Sequence, residues 1–556
     1  MTKEKIFIVT KLDKDKIISS LDNRVCHTYN FQKGRINRET TMSLNDAKKL
    51  HQLAYKEKSK YVDFIYSTNQ FFLKNDIIFN QNLSLYFLSI HSNKRSDIFS
   101  TYTEYLHQLM IRDILKSNNY ETFYTIGFSK EEILKLEINL GVKFKTAIPP
   151  KTNHTKKIRN AFNFFYLFSF FYLILIKLLF KKKRMAVDKF YFAQFPKHFN
   201  YDFSHKKYGS LLKNKGSLFL LTLLSDGFHQ NLKPISFIIS IVQLLKKSNS
   251  ESYILLDQHL SLRDLFWAIR FHFNLKKKFK KLDDEKFIIN GIDLSYQLIE
   301  EFRLAKSQIP RLLMYYNAYR TVFDQFSPRI VTYYLHEFVF GRFLSYVLKT
   351  YYPKIISHGF QHGTMAELKL RYALSSNEVL NEDYLQSVPL PQKNYCENEF
   401  AKMIYNSNGY PNLEIQPNVE RLIYLKTIKR NNIHKGTCLI ACGLHDPKQI
   451  MQYVIDKKIY LNKKIWFKLH PMTKPNLFQK IIDDLNTTNI CLATKPLTFY
   501  FERAEEVIVT YSSVGEEAIE LGIKTGLLVF DYSINESSLM NQNKKLDKRI
   551  INYINY

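Results

Sequence analysis

The sequence predicts an α/β fold: two Rossmann-like units, each a parallel sheet with crossover helices, facing one another across a cleft. Three observations predict it. Short β-prone runs alternate with helical stretches along most of the chain, the rhythm of strand–helix–strand units. A polar segment, 375–420, carries Pro389, Pro391, Pro411 and Pro417 and interrupts that rhythm once, as a linker would. The chain has 556 residues, more than one hydrophobic core organises. Residues 1–400 are accordingly expected to form one unit and 401–556 the other.

In order along the chain, 6–9 reads as a strand and 83–90 as another. Residues 102–117 have helical spacing through Tyr102, Leu106, Leu109, Met110 and Ile114. Strand-like runs follow at 123–127, 190–193, 218–224 and 253–256. A basic helical stretch covers 260–281. A strand at 329–335, a helix at 338–351 and a strand at 354–356 complete the first half. In the second half strands are expected at 437–442, 464–469, 490–492, 506–510 and 526–530, with helices between them and a closing helix over 533–556.

Residues 161–180 break this pattern. Only Asn163, Ser169 and Lys177 are strongly polar there. Lys156, Lys157 and Arg159 precede the segment, and Lys181, Lys182, Lys183 and Arg184 follow it. The length only just suits a span. Cations on both sides give no orientation signal, and spanning would part residues 1–150 from the C-terminal unit. An interfacial helix anchored by its basic flanks is the expectation. A span and a buried core helix are the alternatives.

Composition narrows the partners. Lys and Arg number 81 against 51 Asp and Glu, a formal charge of +30, which favours anionic partners such as acidic lipid, nucleotide-activated substrates or nucleic acid. No nucleic-acid-binding motif is present. The five cysteines are odd in number and scattered, so no disulfide or zinc framework is expected. The N-terminus lacks the apolar core of a secretory signal. A cytoplasmic protein, peripheral to the inner membrane, is expected.

Two clusters carry chemistry in the second half. The apolar strand Trp466-Phe467-Lys468-Leu469 runs into His470-Pro471, and Pro471 keeps His470 out of helical geometry, placing an imidazole at a strand end. There it can donate to a phosphate and stabilise a leaving group, with Lys468 adding charge. The second cluster is a strand ending in Thr510-Tyr511-Ser512-Ser513, followed at once by the helical Val514-Gly515-Glu516-Glu517-Ala518. Small hydroxyls at a helix start either cap it or bind phosphate, and Ser513 with Glu516 has the spacing of a capping box. Glu517 stands where a carboxylate can hold ribose hydroxyls. Gly443, in Gly443-Leu444-His445-Asp446, permits a close backbone approach to a nucleotide.

Together the two clusters resemble glycosyltransferases of the two-domain GT-B kind, most closely those with cytidine-activated donors. Bacterial sialyltransferases and Kdo transferases have a His-Pro and a later serine motif, and the glycerophosphotransferases of teichoic acid synthesis are similar. That resemblance implies His470 and Pro471 at the donor phosphate, Ser512 and Ser513 on the same phosphate, and Glu517 on ribose. The glutamate pair also resembles sugar-nucleotide 2-epimerases. In the first half, Tyr333-Tyr334-Leu335-His336-Glu337 and Ser357-His358-Gly359-Phe360-Gln361-His362-Gly363-Thr364 resemble the bacterial surface carbohydrate biosynthesis family. This places His358, Gln361, His362, Gly363 and Thr364 at the cleft. Glu337 is the first candidate for the base that deprotonates an acceptor. Asp226, in Ser225-Asp226-Gly227, is the second; it is similar to the acidic motif of bacterial sialyltransferases, except that Ser225 replaces the first acid.

The resemblance therefore implies a GT-B glycosyltransferase, metal-independent and inverting, that needs no cofactor beyond a CMP- or CDP-linked nucleotide-sugar co-substrate. Its expected partners are that donor, a glycan or lipid-linked acceptor and an anionic membrane surface, with no nucleic acid. A CDP-polyol phosphotransferase and a sugar-nucleotide 2-epimerase are the alternatives.

Overall fold

The computed structural model describes residues 5–11, 25–31, 41–95, 99–148, 169–180, 186–196, 199, 205, 208, 216–223, 234–246, 253–334, 338–361, 363–380, 383–416, 424–471, 473–542 and 551–555. Three parallel sheets organise them. The first contains β1 (Lys5–Thr10), β2 (Val25–Asn30) and β3 (Thr41–Ser43). A two-stranded hairpin of β4 (Ile78–Phe79) and β5 (Leu83–Ser84) comes next, and β6 (Thr122–Ile126) and β7 (Lys145–Ile148) complete the first sheet. Its spatial order is β3-β2-β1-β6-β7. Ile6 to Val9 are at most 1% exposed, as expected of a parallel strand covered on both faces.

The second sheet has seven strands: β8 (Lys189–Gln194), β9 (Ser217–Thr222) and β10 (Tyr253–Leu255), then, after the small hairpin β11 (Ile288–Ile289) and β12 (Ile292–Asp293), β13 (Ile330–Tyr333), β14 (Ile356–Phe360), β15 (Lys393–Cys396) and β16 (Leu413–Ile415). Its order is β10-β9-β8-β13-β14-β15-β16. The third contains β17 (His434–Ala441), β18 (Lys464–Lys468), β19 (Ile490–Leu492), β20 (Ala504–Val509), β21 (Lys524–Val529) and β22 (Ile551–Asn555), in the order β19-β18-β17-β20-β21-β22. In each sheet the first three strands step one way and the chain then crosses back beside the first. This is the doubly wound order 3-2-1-4, which leaves a crevice at the carboxyl ends of the first and fourth strands.

The α/β expectation therefore extends to one more sheet than expected. Residues 5–148 form a sheet of their own, which shares one hydrophobic core with the seven-stranded sheet. Buried polar contacts cross between the two. Lys94 meets Glu378 at 3.1 Å, both side chains being 1% exposed, and His91 Nδ1 lies 2.6 Å from Glu301. The third sheet has separate clusters on its two faces. Alternate residues of β17 supply them, Leu439 and Ala441 to one and Cys438 and Ile440, with Cys442 just after the strand, to the other.

Other expectations fare differently. The run 83–90 contributes only the two residues of β5 to a strand; its apolar side chains are buried in successive turns held by local bonds such as Ser89 Oγ to the Tyr86 carbonyl. The segment 375–420 is no linker: β15, helix Glu399–Ser407 and β16 make it the edge of the seven-stranded sheet, so the 400/401 boundary falls inside that unit. Within 533–556 the described elements are the short helix Leu539–Gln542 and β22, rather than one closing helix.

The first and third units touch directly. His107 Nε2 donates to the Tyr532 carbonyl at 3.0 Å, and the Asn535 N–H donates to His51 Nε2 at 2.8 Å. Of the segment 161–180, residues 161–168 lie outside the described residues. Within it, 169–179 is helical, and no helix among the described residues is long and apolar enough to cross a membrane.

Candidate functional site

The crevice of the third sheet opens between β17 and β20, with β18 on the far side of β17. The registers Ala441↔Lys468 and Ala441↔Val509 bring the three strand ends level. Neighbouring strands lie about 4.8 Å apart, so the turns after β18 and β20 stand on the order of 10 Å apart with residues 442–446 between them. His470 belongs to the first of these turns and Ser512 and Ser513 to the second.

Tyr511 ties the turn after β20 to the loop after β17. Its hydroxyl accepts from the His445 N–H at 2.8 Å. Its ring occupies the space above Gly443: a Cβ there would stand 2.6 Å from Tyr511 Cε2 and 2.7 Å from Oη. Gly443 thus admits an aromatic ring, where a nucleotide had been expected. Beneath, the buried Asp446 carboxylate accepts from Thr510 Oγ1. Gly515 closes the packing, since a Cβ would lie 2.8 Å from both Val509 Cγ2 and Leu539 Cδ1.

His470 is half-buried. Burial holds its pKa below the ordinary imidazole value, and the neighbouring His445 adds to the effect. At neutral pH the ring is uncharged and offers one N–H and one lone pair. The Thr473 N–H closes the His-Pro turn on the His470 carbonyl at 2.8 Å. Pro471 is exposed.

The serines do not form the capping box. Ser513 sits at the N-cap with helical backbone angles, φ −61 and ψ −19, and makes no side-chain cap bond. Ser512 Oγ accepts weakly from the Val514 N–H at 3.4 Å. Both residues are half-buried. The helix they precede, Val514–Glu520, has 7 residues, so its dipole is small and the hydroxyls and imidazole are the chief polar groups. Glu517 is 5% exposed, and its carboxylate accepts from the Tyr424 hydroxyl. Tyr424 escaped the sequence reading because it lies in a polar stretch before the sheet. Tyr511 escaped it because an aromatic beside two serines reads as ordinary strand. Its one signal was the facing Gly443.

Several expected site residues are engaged by neighbouring carbonyls and rings. The Lys468 ammonium donates to the carbonyls of Ala493 at 3.1 Å and Lys495 at 2.7 Å. Those carbonyls follow β19, on the side of β18 away from β17 and the crevice. His358 lies in the body of β14, paired with Lys393 and edge-on to Tyr395 at 5.1 Å between ring centres. Burial, reinforced by Lys393, pushes its pKa down to about 4. It is a sheet-face histidine two residues before the strand's carboxyl end. Gln361 is spent on its own loop, donating to the Gly363 carbonyl at 2.7 Å and accepting from the Glu397 N–H at 3.0 Å. Thr364 accepts from Lys369 through both its oxygens at 2.8 Å. Gly363 has open space where a Cβ would stand. Glu337, Asp226 and His362 lie outside the described residues.

The fold and this crevice define a chain of parallel, doubly wound α/β units with a polar strand-end site on the last of them. No family model matches the sequence, and no curated protein matches it. Among solved structures the chain is similar to a UDP-N-acetylglucosamine 2-epimerase at 10% identity, covering 67% of this chain and 84% of that one with a TM-score of 0.32. It is similar also to the UDP-GlcNAc 2-epimerase from Neisseria meningitidis bound to UDP-GlcNAc, at 13% identity, 62% and 82% coverage and a TM-score of 0.31. Likeness of that size assigns no activity, and the chemistry of the site rests on its own residues.

Proposed function

We propose that this chain is an enzyme acting on a nucleotide-activated sugar, whose phosphates lie at the crevice of the third sheet between His470 and the Ser512–Ser513 pair. The observation that supports this reading is the level meeting of three strand ends, with Tyr511 bonded to the loop that carries His445. Open α/β sheets take their ligands at such a place. A neutral imidazole N–H and two hydroxyls suit phosphate oxygens, and the same imidazole can stabilise the leaving phosphate. Glu517, buried and oriented by Tyr424, suits ribose hydroxyls. In this reading the sugar passes to an acceptor hydroxyl, with Glu337, or failing it Asp226, as the base. The donor is cytidine-linked by the resemblance of the His-Pro and serine motifs.

A 2-epimerase acting at the same crevice is the second reading, favoured by the Glu516-Glu517-Ala518 sequence and the buried position of Glu517. Thermal stabilisation by CMP, CDP, UDP and GDP tests the site. A nucleotide is expected to raise Tm, and His470→Ala and the Ser512→Ala/Ser513→Ala double variant are expected to remove most of the rise. Equal stabilisation of all three proteins would refute the placement. Incubation with UDP-sugar alone then separates the reactions: an epimer formed without acceptor selects the epimerase. Under the transfer reading Glu337→Gln lowers turnover far more than nucleotide affinity.

A further inference from the structure

Helix 169–179 is apolar on both sides. One face is core: Ser169, Leu173 and Ile176 are 0% exposed and Tyr172 is 2% exposed, the apolar three packing into the cluster that holds the seven-stranded sheet. The other face carries Phe171, 62% exposed, Leu178, 77% exposed, and the exposed Ile174, Leu175 and Leu179. Positions 171, 174, 175 and 178 follow the i, i+3, i+4, i+7 spacing of a single stripe. A helix on a water-facing surface carries polar residues there; this one carries Lys177 alone.

The occupant of this stripe is set by packing and charge. One face of helix 169–179 is packed into the core, so only its other face can meet lipid. A helix lying in the interface needs only one layer of side chains to enter, about 5–10 Å deep. In the sequence, cations stand at 156, 157 and 159 before the helix and at 181–184 directly after it, in a chain of formal charge +30. A second copy of so basic a chain would be repelled from this face, whereas acidic headgroups are attracted to it. We propose that helix 169–179 lies flat in the surface of an anionic lipid bilayer and inserts Phe171, Ile174, Leu175 and Leu178. The proposal goes beyond the nucleotide-sugar reading and does not depend on it.

Co-sedimentation of the full chain with vesicles tests it. Retention is expected on phosphatidylcholine vesicles containing phosphatidylglycerol, and not on phosphatidylcholine alone. The double variant Phe171→Ser/Leu178→Ser alters only exposed side chains and is expected to weaken retention by at least about tenfold, while any stabilisation by nucleotide is unchanged. Equal retention of the variant, or no retention of the native chain, would overturn the proposal. So would a native dimer that the variant converts to a monomer without lipid binding. As an independent check, Leu178→Trp fluorescence should be quenched by brominated lipid in the anionic vesicles, and unquenched emission counts against insertion.

Discussion

Gly443 shows how a single residue governs the crevice. The ring of Tyr511 fills the place of a side chain there, and its hydroxyl holds the His445 N–H. Gly443→Ala is expected to drive the ring out and break that bond, at a cost of about 1–3 kcal/mol typical of overpacking. Chemical denaturation would measure the cost, and any nucleotide affinity should fall with it. His470 makes a second prediction. Its pKa in the free protein is depressed by burial and by His445, and a bound phosphate would raise it. Binding then takes up a proton, so affinity should increase as pH falls below the ordinary 6.5 of imidazole. Titration calorimetry across that range would show the slope, and His470→Ala should lose the part the imidazole contributes. The imidazole and hydroxyls of the site were legible in the sequence as strand-end residues. The direction of Lys468 and the partner of Glu517 were not, because each depends on which neighbouring element supplies a carbonyl or a hydroxyl.

At the scale of elements, the joint between the first two sheets depends on buried charge. Lys94 and Glu378 come from segments 284 residues apart and are 1% exposed, with Tyr86 also donating to the carboxylate at 3.2 Å. Burial pulls the Lys94 pKa down, and Glu378 opposes that pull. Glu378→Ala would leave the ammonium buried without its carboxylate, which typically costs about 3–5 kcal/mol. Urea denaturation should show the loss, and a midpoint within error of the parent would contradict this role. The same scale explains the misread elements. An apolar run such as 83–90 satisfies a strand pattern, yet its burial is achieved through turns. A proline-rich polar stretch such as 389–416 still supplies two strands, because its prolines fall outside them.

At the scale of the whole molecule, two histidines hold the third unit to the first. His51 accepts the Asn535 N–H through Nε2 while its Nδ1 lies 2.7 Å from the Ala47 carbonyl. His107 bridges the Tyr29 hydroxyl and the Tyr532 carbonyl. Both arrangements use the neutral ring, and burial lowers both pKa values, that of His107 to about 4. The unfolded chain takes up a proton near pH 6.5, which the folded His107 refuses until about pH 4. Stability is therefore complete above 6.5 and declines as pH falls toward 4, by up to about 3 kcal/mol from His107 alone. Urea midpoints measured across this interval should fall, and His107→Gln should flatten the slope.

By itself the sequence determined the α/β class, five of the six strands of the third sheet and the strand-end placement of His470, Ser512 and Ser513. Strand periodicity and helix-start chemistry are local properties. Only the tertiary structure decided that residues 5–148 form a sheet of their own, that Tyr511 takes the space above Gly443, and that helix 169–179 buries one apolar face and exposes the other. Each of these depends on which distant segment arrives to pack, and local pattern does not encode the neighbour.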